Sequence, residues 1–176
     1  MRSSFEYCKQ KFSDKEVKGA EVGTYLGINA TELLENWSRL RRLVCIDKYI
    51  SRGVMGVVGE YMPRVTIAEI KSVDAAKKFN DNTFDFVYID ASHVYKDVMD
   101  DCIAWLPKVK PGGVLCGHDY DFTYKVGHCP RVIQAVNDFA LKYGFTVNHD
   151  RPGLLRKSPL NTYFAYEVMS DWWVDV

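Results

Sequence analysis

The chain has no Cys-x-x-Cys pair, no apolar run near the roughly 20 residues needed to span a bilayer, and no dense lysine or arginine tract. Arg39, Arg41 and Arg42 come nearest to a basic cluster. Net charge is also missing, because 23 basic residues balance 23 acidic ones. Bulk electrostatics therefore give no drive toward nucleic acid or an anionic membrane. Repeats, linkers and low-complexity stretches are absent as well. The five cysteines (Cys8, Cys45, Cys102, Cys116, Cys129) are odd in number, and three sit in apolar patterns where a thiol acts as a small core group. With no signal peptide at the start, the expectation is a reduced, cytoplasmic protein.

What is present is alternation. Short apolar runs take turns with helical patterns over 176 residues, the size of one domain. The runs predict strands over 17–22, 43–46, 65–70, 84–89 and 114–116, with a turn at Pro111-Gly112-Gly113. Between them Leu33, Leu34, Trp37 and Leu40 predict a helix, capped by Asn29 with Glu32 in a capping box. A short helix is read over 72–79, a longer one on Val94, Val98, Cys102 and Trp105, and another from Pro130 through Val132, Val136 and Phe139. Segments 145–147 and 163–168 suggest a closing antiparallel hairpin. The expected fold class is α/β: a Rossmann-like three-layer sandwich in one domain, with about seven mostly parallel strands. Ligands bind such sheets beyond the carboxyl ends of the strands.

The first strand leads into Glu21-Val22-Gly23-Thr24-Tyr25-Leu26-Gly27. Glycines permit a tight turn and close approach of a ligand. The spacing is not the Gly-x-Gly-x-x-Gly of dinucleotide binders. Glu21 would repel a pyrophosphate, and suits a cationic group such as an amino acid's ammonium. Asp47, at the end of the second strand, stands where an acid accepts ribose hydroxyls. Taken singly, the glycines also read as a plain turn and Asp47 as a local cap.

Together with Cys45-Ile46-Asp47, Phe84-Asp85-Phe86-Val87-Tyr88-Ile89-Asp90, Leu106-Pro107-Lys108-Val109-Lys110-Pro111-Gly112-Gly113-Val114 and Gly117-His118-Asp119-Tyr120, this loop resembles the class I S-adenosylmethionine-dependent methyltransferases. The resemblance covers nearly the whole chain. Within that class it is similar to small bacterial enzymes related to the metal-dependent O-methyltransferases. It implies S-adenosylmethionine as cofactor, held by Glu21, Gly23, Thr24, Tyr25, Gly27, Asp47, Lys48, Ser72 and Asp90. Asp47 would take the ribose, and Ser72 would stand beside the adenine.

Asp90, His93, His118 and Asp119 follow the two middle strands. Two carboxylates and an imidazole suit a hard divalent cation such as Mg, Ca or Mn. The catechol-type O-methyltransferases carry an Asp after the fourth strand and Asp-Asn after the fifth. The matching ligands here are Asp90, His118 and Asp119, with His118 replacing an acid and Asp119 an amide. That departure leaves zinc, iron or no metal open. His93 stands where those enzymes have a lysine base, and together with Asp90 forms the expected catalytic pair. Plainer readings stand beside these: Asp90 as a helix cap, and His118 and Asp119 as turn formers. His128 and His149 have no matching partner and read as structural.

The expected reaction is methyl transfer to a small-molecule or sugar acceptor, with no nucleic acid or membrane partner. The alternatives are a nicotinamide-dependent oxidoreductase and a non-catalytic cofactor-binding module. Only sixteen residues precede the first strand, which predicts an open site or one completed in a homodimer. Residues 122–128 are read as a lid. Trp172 and Trp173 are read as sealing the sheet edge, or else as lining the acceptor pocket.

Overall fold

Residues 1–120, 131–150 and 170–176 are described by the computed structural model, with the backbone of four two-residue strands between them. The helices are α1 (Ser3–Lys11), α2 (Ile28–Asn36), α3 (Arg52–Val58), α4 (Ser72–Ala76), α5 (Tyr95–Trp105) and α6 (Arg131–Tyr143). The strands are β1 (Val17–Val22), β2 (Leu40–Asp47), β3 (Val65–Glu69), β4 (Phe84–Ile89), β5 (Val109–Gly117), β6 (Thr123–Tyr124), β7 (Gly127–His128), β8 (Asn148–His149), β9 (Leu155–Arg156), β10 (Glu167–Val168) and β11 (Trp172–Asp175).

Seven strands form one sheet in the order β3-β2-β1-β4-β5-β11-β8. The first five are parallel; β11 runs antiparallel to both β5 and β8. β1 and β4 are buried almost throughout, as parallel strands covered on both faces must be. One core, under α4, α5 and α6, gathers Val87, Val98, Trp105, Val136 and Phe139. The other, under α1 and α2, gathers Phe5, Leu33, Trp37, Phe86 and Tyr88. Trp37 stacks on Phe86 with centroids 5.3 Å apart. Each such buried side chain contributes roughly 1.5–3 kcal/mol. The expected three-layer Rossmann-like sheet is the observed one.

Several local expectations are corrected. Asn29 does not cap α2. Gly27 does, in the left-handed region at φ 79°, with no side-chain cap, and Asn29 lies inside the helix. The helix stops at Asn36, so Trp37 and Leu40 are core residues of the connection and of β2. Pro111-Gly112-Gly113 lies within β5 and not in a separate turn, because Gly112 donates its N–H to the Val176 carbonyl at 2.6 Å. Val94 is exposed and precedes α5. The antiparallel partner of β5 is β11, and 145–147 leads into β8. Residues 163–166, residues 122, 125 and 126 of the 122–128 loop, Cys129 and Pro130 lie outside the described residues. Sequence reading also missed α1 and α3. The remaining four cysteines are buried and unbridged.

No helix among the described residues is long and apolar enough to cross a membrane.

Two buried acids serve the scaffold. Asp85, at the end of the sheet away from the site, accepts from Lys15 at 2.8 Å, Lys110 at 3.0 Å and the Lys18 N–H at 2.9 Å. Asp101, on α5, is pushed up to about 6 by burial, against a hydrogen bond to Ser72. A carboxyl raised above its unfolded value favours the fold below that value, and the favour is lost as pH rises through about 6. Asp101→Asn is therefore expected to raise the melting temperature at pH 8 by several degrees and to change it little at pH 4. Thermal melts at both pH values check this, and an equal shift at both would refute it.

Candidate functional site

The site gathers at the carboxyl ends of β1, β2, β4 and β5 and at the start of β11. β1 ends at Glu21 and Val22, and the chain turns at Gly23, whose φ is 94°. A Cβ on Gly23 would stand 2.0 Å from the Asp90 carbonyl oxygen, so only glycine lets the two loops touch. The contact is fixed by backbone bonds from Gly23 N–H to the Ile46 carbonyl (2.8 Å) and from Asp90 N–H to the Val22 carbonyl (2.8 Å).

Glu21 is fully buried, and neither carboxylate oxygen has a hydrogen-bond partner among the described residues. Burial pushes its carboxyl up to about 8; Asp90 adds to that, while nearby Thr24, Cys45 and Asn29 favour the charged form. An orphaned buried acid costs stability unless a cation arrives. The Thr24 hydroxyl beside it is equally without a partner.

Asp47 closes β2 and ties two turns together. Its oxygens accept the N–H of Tyr25 at 2.8 Å and of Tyr49 at 3.1 Å. Each carboxylate oxygen has two lone pairs, so acceptor capacity remains on both. The Tyr25 and Tyr49 rings are exposed on either side, and Lys48 lies 5.7 Å from the Tyr49 ring centre. Ser72, at the start of α4, accepts a hydrogen bond from Trp105 Nε1 at 2.9 Å.

The other half of the site lies beyond β4 and β5. A narrow cleft there is bordered by Asp90, His93, His118, Asp119, Val132 and Trp172. His93 Nε2 and Asp119 Oδ2 share a hydrogen bond of 2.8 Å. His118 Nδ1 lies 3.0 Å from the other oxygen of Asp119 and 3.8 Å from Asp90 Oδ1. Asp119 sits at φ 60°, a strained position for a non-glycine residue. Burial alone would raise Asp119, but His118 and His93 hold it well below the usual carboxylate range. The bond to Asp119 in turn raises His93. His118 is also raised, Asp119 outweighing burial.

One ligand atom each from Asp90, His93 and Asp119 lies within 4.8 Å of the others, a spacing that one cation could bridge. The expected ligand set named His118 in place of His93; in the structure His118 is the second imidazole on Asp119.

Arg2, Asp171 and the site role of Asn29 were not read from the sequence. Arg2, just before α1, donates from Nε to Asn29 Oδ1 at 2.8 Å, and Asn29 Nδ2 donates to Asp90 Oδ2 at 3.0 Å. Asp171, just before β11, accepts from the Ser4 N–H at 3.1 Å and the Ser4 hydroxyl at 2.6 Å, and its Oδ1 stands 4.0 Å from His118 Nε2. Trp172 is buried in a strand within the sheet, so it seals no edge; its ring borders the cleft. The sixteen residues before β1 thus reach into the site from the same chain.

Residues 20–120 match a family model described as a methyltransferase domain. No curated protein sequence matches the chain. Among solved structures, a precorrin 8W decarboxylase from Methanobacterium thermoautotrophicum shares 17% identity, with 98% of this chain and 89% of that one covered at a TM-score of 0.70. A putative caffeoyl-CoA O-methyltransferase from Staphylococcus aureus shares 15% identity over 100% of this chain and 84% of that one, at 0.68. A putative rRNA methylase from Clostridium thermocellum shares 12% over 98% and 94%, at 0.70. The matched segment runs from the orphaned Glu21 through the Gly23 turn to Asp119, and the chain belongs to the methyltransferase-domain family as a class I S-adenosylmethionine-dependent enzyme.

Proposed function

We propose that the enzyme methylates a hydroxyl of a small-molecule or sugar acceptor, with His93 as general base oriented by Asp119. The observation that carries this reading is the 2.8 Å bond between His93 Nε2 and Asp119. With the Nε2 proton held by Asp119, the basic lone pair lies on Nδ1. The His93 side chain is 40% exposed, so an acceptor hydroxyl can approach it. Zero net charge and the lack of a basic tract favour a small acceptor over a nucleic acid.

S-adenosylmethionine supplies an electrophilic methyl group when bound. The residues present fit it. Glu21 offers a buried acid for its ammonium, Gly23, Thr24, Tyr25 and Gly27 a close backbone approach, and Asp47 acceptors for its ribose. Lys48 and Ser72 flank the adenosine side, and Asp90 the methionine side. The protein's main contribution is to align the acceptor oxygen with the methyl, worth roughly 7–11 kcal/mol. His93 takes the acceptor proton as the bond forms, worth roughly 10²–10⁴ in rate.

A second reading puts Mg, Ca or Mn between Asp90, His93 and Asp119, favoured by the 4.8 Å grouping of their ligand atoms. A cation there would lower the pKa of the acceptor hydroxyl. A cation bound through His93 Nε2 would displace the His93–Asp119 bond, so the two readings would then be alternatives at one nitrogen. Methyl transfer to a panel of phenolic and sugar hydroxyls, with EDTA and with added Mn, separates them: activity that survives EDTA supports the base, and activity restored only by Mn supports the metal. No transfer under either condition sinks the hydroxyl reading.

Asp47→Ala is expected to weaken S-adenosylhomocysteine binding about 10- to 100-fold, because charge-assisted hydrogen bonds are lost. Titration calorimetry reads this directly, and unchanged affinity would remove Asp47 from the ribose site.

A further inference from the structure

Arg2 carries five N–H donors and uses one in a hydrogen bond, from Nε to Asn29. Its two η nitrogens stand 3.7 Å from Asp171 Oδ1 and 4.0 Å from Asp90 Oδ2, too far for hydrogen bonds. Both acids are engaged elsewhere, Asp171 by Ser4 and Asp90 by Asn29. The side chain is only 18% exposed. A guanidinium held between two acids with donors still open can take a further acceptor.

Its neighbour across Asn29 has the complementary need. The Asn29 amide takes Arg2 on its oxygen, and lies close enough to Glu21 to favour that residue's charged form. Glu21 is buried with no partner on either oxygen. A base and an acid therefore flank one amide, each underused and neither paired with the other. An α-amino acid terminus, with an ammonium and a carboxylate on one carbon, matches that arrangement in charge.

We infer that Arg2 receives the carboxylate of the cofactor's amino-acid end while Glu21 receives its ammonium. This rests on the cofactor reading above. Arg2 then acts as a specificity residue for the intact amino-acid terminus, contributed by the segment ahead of α1. The planar fork can take both carboxylate oxygens at once, which a lysine cannot do.

The test is calorimetry with two ligands, S-adenosylhomocysteine and its decarboxylated analogue, which keeps the amine and lacks the carboxylate. Wild type is expected to bind the analogue about 10- to 100-fold more weakly. Arg2→Gln should bind S-adenosylhomocysteine more weakly by a similar factor and lose little more on the analogue, and Arg2→Lys should recover part of the loss. Equal weakening of both ligands by Arg2→Gln would show a merely structural role and overturn the inference. Unchanged affinities with a raised acceptor KM would overturn it too, by moving Arg2 to the acceptor. If Arg2→Gln does not fold, the wild-type comparison still decides, since equal affinity for the two ligands refutes a carboxylate contact. Failure of wild type to bind S-adenosylhomocysteine at all would sink the cofactor reading itself.

Discussion

His93→Ala is expected to lower kcat by roughly 10²–10⁴ while leaving S-adenosylhomocysteine affinity and the melting temperature nearly unchanged. The imidazole is 40% exposed, so little core is lost with it. Its charge state is set by Asp119, which raises it through their shared hydrogen bond. The group therefore turns from base to acid above the ordinary histidine value, and the acidic limb of kcat/KM should lie above roughly pH 6.5. Asp119→Asn removes the raising influence and should move that limb to lower pH, with a fall in rate because the imidazole is no longer held. Rate–pH profiles of the wild type and the two variants check this. A His93→Ala enzyme within threefold of wild type would sink the base assignment.

Gly23→Ala is the second large effect, and it strikes the cofactor half. The added Cβ would lie 2.0 Å from the Asp90 oxygen and 2.5 Å from its carbonyl carbon, so backbone and not a flexible side chain blocks it. A φ of 94° adds strain for any L side chain. The β1 and β4 loops must then part, which displaces Glu21, Thr24 and Asp90 together. Expected are a loss of about 3 kcal/mol or more in stability and no measurable S-adenosylhomocysteine binding. Thermal melts and calorimetry read the two effects separately. A stable variant that binds normally would show that the loops are not in contact.

Much of this was legible from sequence because the strongest signals are local. Phe86, Val87, Tyr88 and Ile89 form an unbroken apolar run and became the buried β4. Asp47, Asp90 and Asp119 stand just past such runs, so their place at the strand ends followed. The failures have physical reasons too. α1 and its C-cap residue make core contacts through Phe5, Cys8 and Phe12, spaced three and four apart, but within a charged segment that hid the period. α3 is seven residues long, contains Gly53 and Gly56, and has no side-chain cap. Asn29 and Glu32 matched a capping box, yet a left-handed Gly27 began the helix first. The closing hairpin was read on 145–147 and 163–168, whereas the strand that pairs with both β5 and β8 is Trp172–Asp175, too short a run to stand out. Arg2 and Asp171 were invisible because no local pattern marks them: Arg2 reaches Asn29 across 27 positions, and Asp171 reaches Ser4 across 167.

That last separation has a kinetic consequence. β1 pairs β2 across 24 residues (Val22 with Ile46) and β4 pairs β5 across 28 (Ile89 with Gly117), so these two βαβ units close short loops and can form early, whereas β11 docks on β5 across 55 residues (Trp172 with Gly117) and Tyr7 reaches Asp175 across 168 positions. The half-site holding Arg2, Asp171 and Trp172 therefore assembles after the βαβ frame. By the same asymmetry it is the first part released when the molecule opens locally, so amides of β11 should exchange with deuterium sooner than those of β4.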